Sequence, residues 1–283
     1  WSTGGSRNTT SPNGMSLGAL SAAFLVGGRT PSSPWATGNT ENYDGTTWTT
    51  GTATGQDMDS GTGEGSQTAS IIAGTGWPGP NGKTNTTYLF NGTSWTTGPS
   101  APGDIKRYYG AAGGPGAQTA MIRFNGEKQP GVSDTTEVWN GSSWSSGNPT
   151  GATGESSRGF GIATAAVGFT GSGGSEPQTT VKEYDGTSWT AGGAFPKNAI
   201  NLSTGGTLTV GIATGGSPPP TTITALYDGT SWTAAPQARP IGGSQSPNGQ
   251  VGTQGSHLVV AVPSPTTATL EWVSGSNTVN ITS

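Results

Sequence analysis

The side chains that most often perform chemistry in proteins are scarce in this chain of 283 residues, which has one histidine, His257, and no cysteine. Without cysteine there is no thiol nucleophile, no thiolate metal site and no disulfide. His257 lies in a short apolar run, and one histidine is too few to suggest a Ser-His-Asp arrangement elsewhere. The sequence predicts that the protein is not an enzyme, that it uses no metal or cofactor, and that His257 is structural.

Three arginines are candidates for contact with a ligand or with another subunit. They are Arg107, Arg158 and Arg239, which precede glycine-rich apolar stretches, and Arg7 has a comparable place near the start. A guanidinium can bind an anion, but its five donors can also satisfy carbonyl groups at turns. We expect the structural role and keep the ligand role as the alternative.

Two tryptophans, Trp35 and Trp77, lie in segments rich in Pro and Gly, outside any repeated pattern. An exposed indole can stack on a sugar ring, or it can pack on a neighbouring subunit or on its own loop. Asp57, Asp59 and Glu64 could supply carboxylate oxygens to Ca²⁺, but their spacing matches no calcium loop. We expect these three acids to be solvated at the surface.

The composition excludes several classes of protein. Charged residues make up 9% of the chain and the net charge is −4, with no basic run of the kind that binds nucleic acid. No apolar stretch is long enough to span a membrane. With 51 Gly and 20 Pro the chain could be suspected of disorder, but 10 Trp, most of them at regular spacing, argue for a packed core.

A six-residue motif recurs along the chain: an aromatic residue, Asp or Asn, Gly, two Ser or Thr residues, and Trp. Its first and last residues are Tyr43 and Trp48, Phe90 and Trp95, Trp139 and Trp144, Tyr184 and Trp189, and Tyr227 and Trp232. The closing tryptophans are 43 to 49 residues apart, and Trp1 fits the same spacing. A degenerate copy around Trp272 belongs to a last unit that reaches residue 283. The chain therefore has six units.

Each motif predicts a β-hairpin. Asx-Gly is a strong hairpin signal because the tight turn needs positive φ, which Gly and Asn tolerate. The two aromatic residues should then pack across the strands. Glycine-rich apolar stretches upstream, such as residues 108–114 and 210–216, predict two further strands in each unit.

Six four-stranded units of this length predict an all-β protein, a six-bladed β-propeller in which residues 1–283 form one domain. Either residues 1–3 or the alternating segment 278–282 could supply the outer strand that closes the ring. The glycine pair, the aromatic and the later Trp resemble the kelch repeat of galactose-oxidase-like propellers. That resemblance would imply a copper site with two histidines and a Tyr–Cys link, and this chain lacks both the cysteine and a second histidine.

The low charge and the many hydroxyl residues lead to a prediction of function. Such a surface can pack against other copies without burying unpaired charges. We expect a non-catalytic structural or adhesive propeller of an extracellular assembly, with phage virion proteins as the nearest resemblance in style. Its partners would be other copies of itself or other subunits of a particle. The alternatives are a carbohydrate-binding, lectin-like propeller that recognises surface glycans, or a bacterial surface or secreted protein.

Overall fold

A computed structural model describes residues 1–32, 35–76, 84–103, 108–128, 130–174, 179–243, 251–260 and 267–274. In these residues the chain forms short antiparallel strands and one turn of 3-10 helix, Gly114–Gly116. The predicted all-β class is confirmed.

The strands form six sheets, or blades, and five of them contain four strands that follow one another in sequence. The first strand of the chain is β1 (Ser2–Thr3). Blade 1 contains β2 (Met15–Ala19), β3 (Ala22–Val26), β4 (Thr40–Tyr43) and β5 (Trp48–Thr50). Blade 2 contains β6 (Thr62–Gly65), β7 (Ser70–Thr75), β8 (Thr84–Phe90) and β9 (Trp95–Gly98). Blade 3 contains β10 (Gly110–Ala112), β11 (Met121–Phe124), β12 (Thr136–Trp139) and β13 (Trp144–Gly147).

Blades 4 and 5 repeat this order. Blade 4 contains β14 (Arg158–Ile162), β15 (Ala165–Phe169), β16 (Val181–Tyr184) and β17 (Trp189–Ala191). Blade 5 contains β18 (Ser203–Thr207), β19 (Val210–Thr214), β20 (Thr224–Tyr227) and β21 (Trp232–Ala234). In each of the five complete blades two inner strands are followed by a loop and the aromatic hairpin, as the sequence predicted.

Blade 6 joins the two ends of the described chain. It contains β22 (Ser256–Val260) and β23 (Thr269–Val273), and β1 pairs with β23 so that Ser2 lies opposite Glu271. On the inner side, Val251 bridges to Gly18 of blade 1 and Gly252 bridges to His257. The outer strand of the closing blade is therefore the amino-terminal one. The competing candidate, residues 278–282, lies outside the described residues.

The hydrophobic core lies between the blades rather than inside any one of them. Phe24 of blade 1 stacks on Phe90 of blade 2 with ring centroids 5.2 Å apart. Phe124 of blade 3 clusters with Tyr184 of blade 4. A single sheet cannot cover both of its faces, so each blade is stable only between two neighbours.

The five Asx-Gly turns have one geometry. In each, the side-chain oxygen of the Asx residue accepts the backbone N–H groups two and three residues later; for Asp44 these distances are 2.8 and 2.7 Å. The glycine alone has positive φ, +94° at Gly45. The Asx residue itself does not take positive φ. Its contribution is an acceptor that both Asp and Asn provide, which explains why the sequence uses either.

The aromatic residues that flank each turn are register partners and pack as predicted. Their ring centroids are 4.9 Å apart for Tyr43–Trp48, 4.8 Å for Phe90–Trp95, 5.4 Å for Trp139–Trp144, 4.9 Å for Tyr184–Trp189 and 4.8 Å for Tyr227–Trp232. Trp1 and Trp272 form the sixth pair at 5.4 Å. Trp272 thus takes the place of the first aromatic residue of the motif, and Trp1 takes the place of the closing tryptophan.

Candidate functional site

A ring of residues with left-handed backbone conformation borders one end of the central channel of the propeller. Five non-glycine residues with φ between 52° and 61° stand two positions before the innermost strands: Asn13, Ser60, Tyr108, Ser156 and Asn201. Backbone bonds link successive blades here, from Ser60 N–H to the Asn13 carbonyl (2.7 Å) and from Tyr108 N–H to the Ser60 carbonyl (3.2 Å). Left-handed φ is costly for a side chain as bulky as Tyr108, so the surrounding ring must hold it in place.

Of the predicted arginines, Arg158 lies at this mouth. It is buried at the start of β14 and donates to the carbonyls of Ser157 and Leu202, at 2.8 and 3.2 Å, and to the Asn201 side chain at 3.0 Å. Burial lowers the pKa of Arg158 to about 10. Its donors therefore serve the seam between blades 4 and 5.

A second arginine at the mouth, Arg29, was missed by sequence reasoning. Its Nε donates to Asp59 at 2.7 Å, and its Nη2 lies 3.5 Å from the Tyr108 hydroxyl. These residues come from three consecutive blades, so only the closed ring brings them together. No repeated motif contains Arg29, and no signal in the sequence marked it.

A third predicted arginine, Arg239, does not join this group. Arg239 is buried in the segment after β21, where it donates to the carbonyls of Ile241 and Gly243. The residues between Gly243 and Val251, which Arg239 precedes, lie outside the described residues. Arg107 lies outside the described residues.

His257 is sealed between blades 5 and 6. Its Nε2 lies 2.7 Å from the Ser203 hydroxyl, and both side chains are buried. Burial lowers the pKa of His257 to about 3, so the ring is neutral near pH 7. A Ser–His pair can form a nucleophile, but this one has no path to solvent and faces no acid in the described chain, which is a structural arrangement.

The three acidic residues considered for Ca²⁺ do not converge, and the expectation that all are solvated was wrong for two of them. Asp57 is exposed, whereas Asp59 is buried against Arg29. Glu64 is buried between blades 2 and 3, where one oxygen accepts the Gly114 N–H at 3.2 Å. Burial raises the pKa of Glu64 well above its usual range. Among the described residues there is no group of three potential metal ligands.

Trp35 is exposed over 52% of its surface and has φ +66°, and its backbone bonds to Ser32 and Thr30 close a tight loop. The indole therefore projects from the loop that joins β3 and β4 of blade 1, and it does not pack against that loop. Trp77 lies outside the described residues. The structure gives no contact for Trp35 with any other candidate residue.

Sequence reasoning also missed a buried ion pair between neighbouring strands of blade 3. Arg123 on β11 donates to Glu137 on β12, and both side chains are fully buried. The Arg123 guanidinium lies 4.9 Å from the Tyr109 ring centroid and 5.3 Å from that of Trp144. Opposite charges in two adjacent, otherwise apolar strands were the available signal.

The fold defines the chain as a six-bladed β-propeller. It is similar to a solved structure described as that of YjhT, with a TM-score of 0.74 and 11% sequence identity over 96% of this chain and 97% of that one. At this identity the likeness concerns the fold alone. No family model and no curated protein matches the sequence. No helix in the described residues is long and apolar enough to cross a membrane.

Proposed function

We propose that this propeller is a non-catalytic structural or adhesive subunit of an extracellular assembly, and that the assembly is a virion. The observation that carries the proposal is how the ionisable side chains are used. Arg158 and Arg239 hold loop carbonyls, and His257 holds Ser203 across a seam. Arg158 and His257 thus join neighbouring blades, and Arg239 fixes the segment that follows β21.

The exposed surface supports the same proposal. The hairpins present Ser, Thr, Gly and Asn to solvent, with Asp44, Asp185 and Asp228 as the charged residues of their turns, and the chain as a whole has only 9% charged residues. A hydroxyl-rich surface of low charge can be buried against another subunit with little cost in charge desolvation.

The test is the oligomeric state of the protein as its concentration rises. Light scattering and electron microscopy should show regular particles larger than the 28.1 kDa chain. A chain that stays single up to millimolar concentration would contradict the structural role. Turnover of any substrate by the purified protein would contradict the non-catalytic one.

A lectin-like function is the second candidate, favoured by the exposed indole of Trp35. An aromatic face beside polar groups can stack on a sugar ring. Glycan-array binding that saturates and is lost in Trp35→Ala, while Val273→Ala at another exposed apolar site leaves it intact, would support this function. Binding that survives Trp35→Ala would remove the reason for proposing it.

A further inference from the structure

The outermost strand of every blade is free of charge. These strands are β1, β5, β9, β13, β17 and β21, and apart from the leading Trp and the terminal Gly of β9 and β13 they contain only Ser, Thr and Ala. Proteins usually protect a sheet edge with charged side chains, proline or a bulge. Here the only such device is that the edges are short.

The hydrogen-bond pattern shows which backbone groups these edges present. In an antiparallel ladder, hydrogen-bonded and non-hydrogen-bonded pairs alternate. In blade 2 the Asn91 N–H bonds to the Ser94 carbonyl, so Leu89 and Thr96 form a bonded pair and Thr97 does not bond to Tyr88. The backbone N–H and C=O of Thr97 therefore point away from the sheet.

The same alternation applies to the other complete blades. The outward residues in the second half of each edge are Thr50, Thr97, Ser146, Ala191 and Ala234, and their side chains are exposed. The described rim thus repeats one arrangement five times: a donor and an acceptor on the backbone, flanked by side chains without charge.

This arrangement is complementary to itself. A hydroxyl group both donates and accepts, so an edge of Ser and Thr can lie antiparallel to an identical edge with every polar group paired. An edge carrying Lys or Glu would place like charges opposite each other. A two-fold axis brings the same surface of two identical subunits together, so that surface must be complementary to itself. The uncharged edges meet this requirement.

We propose that the outer edge strands pair with those of a second copy of this chain, extending the sheets from one propeller into the next. This inference rests on the proposed assembly function and names its interface. Each edge offers the outward groups of only a few residues, so one pairing is weak. Because the edges face different directions around the rim, one chain can pair with more than one copy.

The experiment compares two matched lysine variants of the full chain. The edge variant combines Thr50→Lys, Thr97→Lys, Ser146→Lys, Ala191→Lys and Ala234→Lys. The turn variant combines Thr46→Lys, Thr93→Lys, Ser142→Lys, Thr187→Lys and Thr230→Lys, which adds the same charge to exposed positions of the same hairpins. Mass is measured by light scattering, and circular dichroism verifies that both variants fold.

We expect the wild type and the turn variant to assemble and the edge variant to remain a single chain of 28.1 kDa. Two assembling variants would overturn the edge pairing and leave the assembly function standing. If both variants stayed single chains, the edge pairing would also be overturned, because added charge at either set of positions would then be enough to prevent assembly. A wild type that never assembles would overturn both proposals.

A second measurement does not depend on the variants. Amide hydrogen exchange of the wild type should slow at Thr97 and Ser146, by tenfold or more, when dilute protein is concentrated into particles. Their inward-bonded neighbours Thr96 and Ser145 serve as internal references. Unchanged exchange at Thr97 and Ser146 within assembled particles would overturn the edge pairing.

Discussion

The outer hairpins and the seams between blades follow different rules. Every complete blade has the same hairpin, with the same Asx acceptor, the same glycine φ and the same aromatic pair. The seams share an apolar character and repeat some polar contacts, such as the bonds from the Gln67 amide to carbonyls of the preceding blade, but other polar contacts occur at one seam alone in the described residues. His257 meets Ser203 between blades 5 and 6, and Glu64 accepts the Gly114 N–H between blades 2 and 3.

This difference separates two tasks. A repeated hairpin sets strand register locally and can do so in any blade. A polar contact that occurs once can fit only its own neighbour, and a wrong neighbour would leave a buried polar group unpaired. The hairpins therefore build the blades, and the unique contacts favour one order of blades around the ring.

The largest effect should come from breaking a unique buried contact. Glu137→Ala leaves the Arg123 guanidinium fully buried without its carboxylate, which should cost about 3–5 kcal/mol in the free energy of unfolding. Urea denaturation measures the loss. The double variant Arg123→Met, Glu137→Leu should recover most of it, and a double variant as unstable as Glu137→Ala would show that the charge is not the cause.

The seam at His257 should respond to pH. Its folded pKa of about 3 lies below the unfolded value of about 6.5, so the unfolded chain binds more protons between these values. Stability from this group is complete above pH 6.5 and is lost as pH falls towards 3, by up to about 1.4 kcal/mol per unit. The stability difference between wild type and His257→Asn, followed from pH 7 to 4, isolates this group from Glu64, whose raised pKa acts in the opposite sense. If the stability difference between wild type and His257→Asn stayed constant with pH, this role of His257 would be contradicted.

The hairpins should tolerate exchange between their repeats. Asn140→Asp should change stability little, because Asp44 accepts the same two bonds in blade 1. Asn140→Ala removes the acceptor and should cost about 1 kcal/mol, read from the shift in thermal midpoint. If Asp were as harmful as Ala at this position, the turn would depend on the amide and not on the shared oxygen.

The smallest effect on stability is expected when a hydrogen bond found in one seam is introduced into the next seam. The indole N–H of Trp189 bonds to Thr136 of blade 3 at 2.9 Å, whereas that of Trp232 has no partner in the described chain and packs near Val181, the equivalent position of blade 4. Val181→Thr should therefore stabilise the protein by about 0.5–1 kcal/mol. The reverse change, Thr136→Val, should destabilise it by a similar amount. Equal signs for the two variants would contradict the equivalence.

The sequence predicted what is local. Each aromatic hairpin lies within six residues, so its composition shows its structure directly, and the spacing of Trp1 made residues 1–3 one of two candidates for the strand that closes the ring. The role of Gln67 was not predictable in this way. Its amide donates to the carbonyls of Ala23 and Tyr43 in the preceding blade, and Gln118 and Gln254 make the same contact elsewhere. These bonds depend on how blades stack, which no single repeat encodes.

The candidate site was predicted less well for the same reason. Arg29, Asp59 and Tyr108 meet only because three blades share one mouth. Asp59 and Glu64 looked like solvated acids because nothing nearby in sequence could pair with them. Trp35 became a candidate because an indole outside the repeated motif, in a segment rich in Pro and Gly, is visible in the local sequence, but the sequence left its exposure open.

The central claim is that the ring closes by pairing its first strand with its last described one. Ser2 and Glu271 are register partners, so their Cα atoms lie at the roughly 5.5 Å separation that suits a disulfide. The wild type has no cysteine, so Ser2→Cys with Glu271→Cys gives one possible link. After mild oxidation, mass spectrometry should find that link within single chains, together with a higher thermal midpoint than in the reduced form. Free thiols, or disulfides only between chains, would contradict the closed ring.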